Sequence, residues 1–416
     1  MTSMQTNNTC LNIDSAKAAL PVTAPASAKI FLKMLAKLKH GNLHVVTPDD
    51  EVLHFGETGS AQAIVLHIHD WRACSKIMRS GDIGFAEALE AGWITTTDLT
   101  GLLRLAIKNE SALDQAIFGG RLMSLWYKLK HLLRSNTKEG SRKNIHAHYD
   151  LGNHFYRLWL DPSWTYSSAI FYKDYQISLE EAQYRKYQRI IDVLGLKKGD
   201  KVLEIGCGWG GFAEHAGLQG IHVHGITISN AQLEIAQERI QRQQLQDHVY
   251  LELCDYRDLK TQYDAIVSIE MFEAVGEKYW PGYFSTVERC LKPDGKALIQ
   301  TITIDEKNFE RYRSGSDFIQ QYIFPGGMLP SPERFISHAK KCNLETTNSF
   351  AFGLDYAETL RRWNKAFDQE IDAIAQQGFD PKFQRIWQMY FSYCEAGFEE
   401  KRTDVYQFLL HKKGVA

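Results

Sequence analysis

Several features are scarce in this chain of 416 residues, and each absence excludes a class of protein. Its seven cysteines are scattered without a C-x-x-C pair, and no histidine cluster has metal-ligand spacing. This argues against a zinc site and a disulfide framework and favours a reducing compartment. No apolar run approaches the roughly 20 residues of a membrane-spanning helix. The net charge of -2 leaves no global basic field for nucleic acid.

The first 28 residues differ in composition from the rest of the chain. They are rich in Thr, Asn, Ala, Ser and Pro and lack both a basic start and a sustained apolar core. We therefore expect a disordered tail over residues 1–28 rather than a secretory signal. The remaining chain, with an overall hydrophobic content of 44%, is long enough for two or three domains with their own cores.

Residues 29–120 show a mixed pattern of short helices and strands. Helical spacing runs through IFLKMLAKL, and GNLHVVTP, VLHFG and AIVLHIHD have the composition of strands. Further helices are expected in ACSKIMRSG, FAEALEAGW and TTTDLTGLLRLAIKN. Because the region carries no catalytic constellation, we interpret it as an accessory domain for lipid association or dimerisation.

Residues 121–145 combine an amphipathic basic helix with a polar linker. The helix RLMSLWYKLKHLLR places leucines and Trp126 on one face, with Lys128, Lys130 and Arg134 between them. One interpretation is a membrane-surface element, because basic side chains are drawn to anionic headgroups while Trp and Leu enter the interface. The other is a helix that packs on its own domain.

Residues 146–416 alternate strands with helices, which is typical of a doubly wound α/β sheet. The strand candidates are KVLEIGC, HVHGITI, VYLELCD, YDAIVSIE and KALIQTITI.

In VLEIGCGWGGFA a strand runs into a turn at Gly206, Gly208 and Gly210 and then into a helix, which indicates a nucleotide cofactor. Glu204 would repel a pyrophosphate but can pair with a methionine amino group. Thr227 occupies the place where a dinucleotide site expects an acid, so S-adenosylmethionine fits better.

Seven motifs then follow one another in a specific order. They are HYDLGNHFYRLWLDPSWTYSSA, VLEIGCGWGG, GITISNAQ, CDYRDL, SIEMFEAVG, YIFPGGMLPS and FGLDYAETLRRW. From about Phe31 to the C-terminus the sequence resembles the cyclopropane-fatty-acyl-phospholipid synthases and the related mycolic-acid cyclopropane synthases and methyltransferases. The resemblance implies a Rossmann-like methyltransferase sheet with a helical cover over an acyl tunnel, together with a smaller N-terminal domain.

The resemblance also assigns residues that contact S-adenosylmethionine. By position these are Tyr166, Ser167, Glu204, Gly206, Gly208, Gly210, Thr227, Ser229, Gln232, Tyr256 and Arg257. They fall at the carboxyl ends of predicted strands or just before helices, where ligands bind in open α/β sheets.

A second set of residues is implied for the reacting centre. In the family a bound bicarbonate accepts the proton, and its ligands correspond to Glu273, Gln300, Ser168, Ile302 and Tyr356. Ser168 stands where typical members have Cys, and Gln300 and Ala274 stand where they have His. Glutamine donates a hydrogen bond but cannot relay a proton as imidazole can.

Cys394 matches a cysteine that has been described as a nucleophile in the family. No step of the implied mechanism needs a thiolate, and a cysteine among aromatic residues is more often a small buried hydrophobe. Its assignment to the site therefore comes from the resemblance alone.

The implied activity is transfer of a methyl or methylene carbon to the cis double bond of unsaturated acyl chains in membrane phospholipids. The carbocation formed would close to a cyclopropane, and we favour this over a methyl- or methylene-branched product. The rivals are a soluble small-molecule methyltransferase and a non-catalytic lipid-binding protein. We expect a cytoplasmic protein, peripheral on the inner face of the membrane, without metal or nucleic acid, and the family suggests a homodimer.

Overall fold

The chain divides into two units, and each contains a β-sheet with helices. The computed structural model describes residues 9–10, 20–57, 63–118, 137–138, 140 and 151–412. One unit comprises residues 1–130, 315–322 and 378–400, and the other comprises 131–314, 323–377 and 401–416. The predicted basic helix at Arg121–Arg134 lies outside the described residues.

A mixed sheet of five strands forms the centre of the first unit. Its strands are β1 (Thr9–Cys10), β2 (Asn42–Val46), β3 (Val52–Gly56), β4 (Ile64–Ile68) and β5 (Ile94–Thr96). The order is β1-β3-β2-β4-β5, with β2 parallel to β4 and antiparallel to β3. Leu43 and Val45 of β2 are buried, as the period of two predicts.

Four helices between residues 26 and 118 belong to this unit. They are α1 (Ala26–Leu35), α2 (Arg72–Glu90), α3 (Leu99–Lys108) and α4 (Glu110–Phe118). The two helices expected in ACSKIMRSG and FAEALEAGW form the single element α2, which is broken at Gly81 by a backbone φ of 62°. The left-handed conformation is one that glycine adopts without steric cost.

The disordered tail expected for residues 1–28 stays a prediction, and within this range the structure describes residues 9–10 and 20–28. Thr9 and Cys10 pair with β3, and α1 already begins at Ala26 because Ala28 is buried on its apolar face.

The unit boundaries also differ from a continuous domain over 146–416, because a helix at Pro381–Glu399 belongs to the first unit. Thr100 of α3 donates to Glu395 of this helix at 3.1 Å, and Arg104 of α3 pairs with Glu400 at 2.7 Å.

The second unit contains a sheet of seven strands. Its strands are β6 (Lys201–Ile205), β7 (His222–Thr227), β8 (Val249–Leu253), β9 (Tyr263–Ile269), β10 (Leu291–Ile304), β11 (Leu344–Ala351) and β12 (Thr403–Lys412). The order is β11-β12-β10-β9-β6-β7-β8, and β6 to β10 are parallel. These five are the predicted strands, so the α/β prediction is confirmed. Strands β11 and β12 are additional, and β12 is antiparallel to both neighbours.

Helices cover both faces of this sheet. They are α5 (Asn153–Trp159), α6 (Leu179–Leu194), α7 (Gly211–Gly217), α8 (Asn230–Arg242), α9 (Trp280–Cys290), α10 (Glu306–Ser314), α11 (Pro332–Lys341), α12 (Gly353–Gln369) and α13 (Ile371–Gln376). Val202 packs in one apolar cluster and Leu203 in another, because successive residues of a strand face opposite sides. None of the described helices combines the length and the apolar character needed to cross a bilayer.

Candidate active site

The glycine turn after β6 has the conformation that its sequence predicts. Gly206, Gly208 and Gly210 have φ values of 84°, 51° and 81°. A Cβ on Gly206 would lie 2.9 Å from Met271 Cγ, and a Cβ on Gly210 would lie 3.2 Å from Ala236 Cβ. Both the backbone conformation and the close packing therefore require glycine. The turn leads directly into α7 at the carboxyl edge of the parallel strands, where ligands bind in such folds.

Glu204 lies at the end of β6 with a buried carboxylate. Its Oε2 atom has no hydrogen-bond partner among the described residues. Burial raises the pKa of this carboxyl well above its usual value, an effect that the nearby Lys186 opposes. An orphaned buried acceptor is unfavourable unless a ligand supplies a donor. The residue therefore fits the amino group of a methionine moiety, which is the contact that the sequence predicts.

The segment after β7 brings three predicted cofactor residues together. Thr227 donates from Oγ1 to Gln232 Oε1 at 3.1 Å. Ser229 caps α8 by accepting from the Gln232 backbone N–H at 3.3 Å. All three side chains are buried, so this helix start presents an ordered polar wall beside the glycine turn.

Tyr256 and Arg257 follow β8 in a short 3-10 turn. Arg257 donates from Nε and Nη2 to the two oxygens of Asp255, at 2.8 and 2.6 Å. Burial raises the pKa of Tyr256 to about 12, so its hydroxyl keeps its proton. Asp255, which fixes the guanidinium, was missed by the sequence analysis although it lies within the CDYRDL motif.

Tyr166 lies inside an aromatic cluster. Its ring is 5.6 Å from Tyr156, 5.5 Å from Trp159 and 5.3 Å from Trp363, measured between centroids. The ring centroid of Phe324 lies 6.3 Å from that of Tyr166. Such faces attract a cation through their quadrupole without reacting with it. The sequence motif HYDLGNHFYRLW supplies two of these rings.

Ser167 and Ser168 connect the residues predicted to bind the cofactor with those predicted for the reacting centre. Ser167 Oγ accepts from the Lys186 ammonium at 2.6 Å. Lys186 is fully buried, and this burial lowers its pKa to about 7. The Ser168 backbone N–H donates to Glu270 Oε1 at 2.8 Å. Lys186 and Glu270 were both missed by the sequence analysis.

The residues expected around a bicarbonate separate into two groups. Three of them converge on Glu270: the Ser168 amide at 2.8 Å, Gln300 Nε2 at 2.7 Å and the Tyr356 hydroxyl at 2.6 Å. Glu270 directly follows β9. Its place at the carboxyl end of a predicted strand is the signal by which the sequence could have identified it as a site residue. Burial raises the pKa of the Glu270 carboxyl, although Lys186 and its hydrogen bonds oppose this.

Glu273 and Ile302 form the other group. Glu273 Oε1 accepts from the Ile302 backbone N–H at 2.5 Å and from Thr301 Oγ1 at 3.0 Å. Its Oε2 atom is buried without a partner among the described residues. Burial, and then the charge of Glu270, raise the pKa of Glu273 to about 8.

A chain of polar side chains fixes the amide of Gln300. Arg189 donates to Gln407 Oε1 at 2.6 Å, and Gln407 Nε2 donates to Gln300 Oε1 at 2.9 Å. This leaves the Gln300 NH2 group to face Glu270. Gln407 lies on β12, so its role was not visible in the sequence.

Cys394 belongs to the first unit, whereas the other predicted site residues belong to the second. Burial raises the pKa of its thiol, with a smaller contribution from Asp317. A thiol that keeps its proton is a poor nucleophile, which agrees with the interpretation of Cys394 as a small buried hydrophobe. No cluster of three or more His, Cys, Asp or Glu side chains suited to a metal ion is found among the described residues.

Comparison with known proteins agrees with the motifs. The family model described as mycolic acid cyclopropane synthetase matches residues 136–408. The tuberculostearic acid methyltransferase of Mycobacterium tuberculosis is 36% identical over 413 residues, which cover 94% of this chain and 93% of the relative. The cyclopropane-fatty-acyl-phospholipid synthase of Escherichia coli K12 is 34% identical over 346 residues, covering 81% of this chain and 85% of the relative.

A solved structure supports the same relationship. The cyclopropane synthase MmaA2 from Mycobacterium tuberculosis aligns with a TM-score of 0.61 at 32% identity, and the match covers 65% of this chain and 98% of that one. The family resemblance inferred from the motifs is thereby confirmed. The chain belongs to the mycolic acid cyclopropane synthetase family of S-adenosylmethionine-dependent methyltransferases.

Proposed function

We propose that this enzyme methylates the cis double bond of unsaturated acyl chains in membrane phospholipids and releases a branched, still unsaturated chain. The observation that supports this most directly is the segment Tyr166–Ser168. It joins the aromatic cluster around Tyr166 to the Glu270 carboxylate, through the Ser168 amide that donates at 2.8 Å. Ser167 within it contacts Lys186. The cofactor residues and a proton acceptor are thus linked within a few residues.

An alkene is a weak nucleophile, and the site has the features that such a substrate needs. S-adenosylmethionine supplies an activated methyl group when bound. Glu204 and the glycine turn would hold it, because the orphaned Glu204 oxygen and the open space beside Gly208 fit its amino acid portion. The Tyr166 cluster offers ring faces to the carbocation that methyl transfer leaves on the acyl chain. Buried aromatic walls also exclude water that would capture the cation.

Two features favour branching over ring closure. Gln300, with its amide oriented by Gln407, cannot relay a proton as a histidine would. A tuberculostearic acid methyltransferase is 36% identical over 94% of this chain, whereas the cyclopropane synthase of Escherichia coli is 34% identical over 81% of it. Ring closure, which the motifs favour on their own, is the second candidate. Glu273 supports this candidate, because it stands where the family has its bicarbonate-binding glutamate and accepts from the Ile302 backbone N–H.

The lipid substrate also bears on location. We infer that the enzyme works from the cytoplasmic side as a peripheral protein, with the basic segment 121–134 as its membrane contact and a homodimer as its assembly. The segment has Lys and Arg beside Trp and Leu. Sedimentation with anionic vesicles tests this: salt should weaken the association. An enzyme with a soluble substrate would remain in the supernatant.

The product is identified by a single assay. Purified protein is incubated with S-adenosylmethionine and vesicles of cis-unsaturated phosphatidylglycerol, and the released acyl chains are examined by proton NMR. Vinylidene or branched-methyl signals are expected. Upfield cyclopropane protons would favour the second candidate, and an absence of any methylated chain would contradict the proposal. Mass alone is insufficient because ring and branched products both gain CH2.

A further inference from the structure

We propose that the Glu270 carboxylate is the resident proton acceptor of this enzyme and takes the place of a bound bicarbonate ion. The inference rests on the function proposed above. Three groups expected to hold that ion, on Ser168, Gln300 and Tyr356, donate instead to Glu270. Carboxylate and bicarbonate present a similar pair of anionic oxygens, so one set of donors suits both. Where the side chain occupies this position, a diffusible base is redundant.

The backbone at Glu270 supports a functional reason for the side chain. Its φ of 49° lies in the left-handed region, which favours glycine and is uncommon for other residues. The Glu270 N–H donates to the Gln300 carbonyl at 2.8 Å, which helps to hold this conformation. Non-glycine residues in such conformations cluster at active sites, where the local cost is offset by the surrounding structure.

The hydrogen bonds orient the carboxylate and still leave a position for a proton. A carboxylate offers about four lone-pair sites. Oε1 accepts from Ser168 and Gln300, and Oε2 accepts from Tyr356. Among the described residues, Oε2 therefore retains an acceptor site. The position resembles a general base whose geometry is fixed before the substrate arrives.

Neighbouring charges keep this carboxylate a useful base. Lys186, on α6, favours its ionised form, as do the three donors. Burial has the opposite and larger effect, so the pKa of Glu270 is raised. The Glu273 carboxyl also interacts electrostatically with Glu270. A carboxylate with a raised pKa is a stronger proton acceptor than one in water.

The proposed step balances without an oxidant or a reductant. The methyl carbon bonds to one alkene carbon as its bond to sulfur breaks, which leaves a cation on the other alkene carbon. A C–H bond next to the cation breaks, and its electron pair forms the new C=C bond, which gives a methyl branch. If the hydrogen of the methylated carbon first shifts as hydride to the cationic carbon, the proton is lost from the new methyl group and the product is a vinylidene. The proton passes to Glu270 Oε2 and is later released to water. S-adenosylhomocysteine is the other product.

The test compares the full-length enzyme and its variants in buffer freed of carbon dioxide, with S-adenosylmethionine and cis-unsaturated phosphatidylglycerol vesicles. Wild-type turnover should not change when millimolar bicarbonate is added. Glu270→Gln keeps the shape but is a poor base, so turnover should fall by at least ~10²-fold with cofactor affinity unchanged. The exposed Glu238 provides a matched control in Glu238→Gln. Wild-type turnover in Glu270→Gln, or a bicarbonate requirement in the wild type, would overturn the inference.

Glu270→Gly provides an independent variant that the backbone conformation tolerates. It removes the carboxylate and leaves the Ser168, Gln300 and Tyr356 donors available to an anion. The variant should be inactive without bicarbonate and should regain turnover when it is added. Failure of rescue in a variant that binds S-adenosylmethionine normally counts against the inference. Failure of the proposed function itself is distinct, because the wild-type arm would then form no methylated acyl chain.

Discussion

Two glutamates lie near the carboxyl ends of adjacent strands of one sheet, β6 and β9, and their surroundings differ. Glu204 is buried and leaves Oε2 without a partner among the described residues. Glu270 receives three donors. Lys186 interacts electrostatically with both. A carboxylate left unsatisfied indicates a place that receives a ligand, whereas one oriented by the protein is suited to react. Substitutions at the two kinds of carboxylate should therefore affect cofactor affinity and turnover differently.

The largest effect is expected at a third carboxylate. Glu273→Gln should lower turnover by ~10²-fold or more while S-adenosylmethionine affinity changes little. The reason is its position: it contacts the Ile302 amide and interacts with Glu270, on the side of the reacting centre. Steady-state rates and equilibrium titration of the same preparation give both quantities. If affinity and turnover fall together, Glu273 belongs with the cofactor residues and not with the reacting centre.

A smaller effect is expected at Glu204, on S-adenosylmethionine affinity rather than on turnover. Removing a charged hydrogen-bond acceptor costs about 1.5–3 kcal/mol, so Glu204→Gln should weaken S-adenosylmethionine binding by roughly 10- to 100-fold. Turnover at saturating cofactor should stay near the wild-type value. Calorimetric titration measures the affinity, with Glu238→Gln on the exposed face of α8 as the control. Unchanged affinity would show that the orphaned Glu204 oxygen is not the receiving group.

The cofactor side of the site was predictable because its signals are local. Strand periodicity gave β6 to β10, and the glycines that require positive φ lie within five residues of one another. The segment Thr227–Gln232 likewise closes on itself through Ser229. In each case the interacting groups are neighbours in the chain, so their spacing in the sequence is enough to predict their geometry.

The acceptor side was not predictable in the same way. Glu270 meets Ser168 across 102 residues and Tyr356 across 86. Gln407 reaches Gln300 because β12 pairs antiparallel with β10 in the register that sets these two residues opposite each other. Neither β11 nor β12 was expected. The resemblance assigned Ser168, Gln300 and Tyr356 to one bound ion, and in the folded chain all three donate to Glu270.

The smallest effect is expected on thermal stability at Glu273. Its pH dependence reports the protonation state of the buried carboxyl independently of turnover. The pKa of this carboxyl is raised from 4.5 to about 8, chiefly by burial and then by Glu270. Between those pH values the unfolded chain releases a proton that the folded protein retains, so the group's contribution to stability is lost as pH rises. Glutamine carries no such charge. Glu273→Gln should therefore match the wild-type unfolding midpoint near pH 5 and exceed it by a few degrees at pH 8. Thermal scans across this range, beside Glu238→Gln, measure the difference. A gap that does not widen with pH would mean that Glu273 is already ionised in the folded enzyme and that its carboxylate is available at neutral pH.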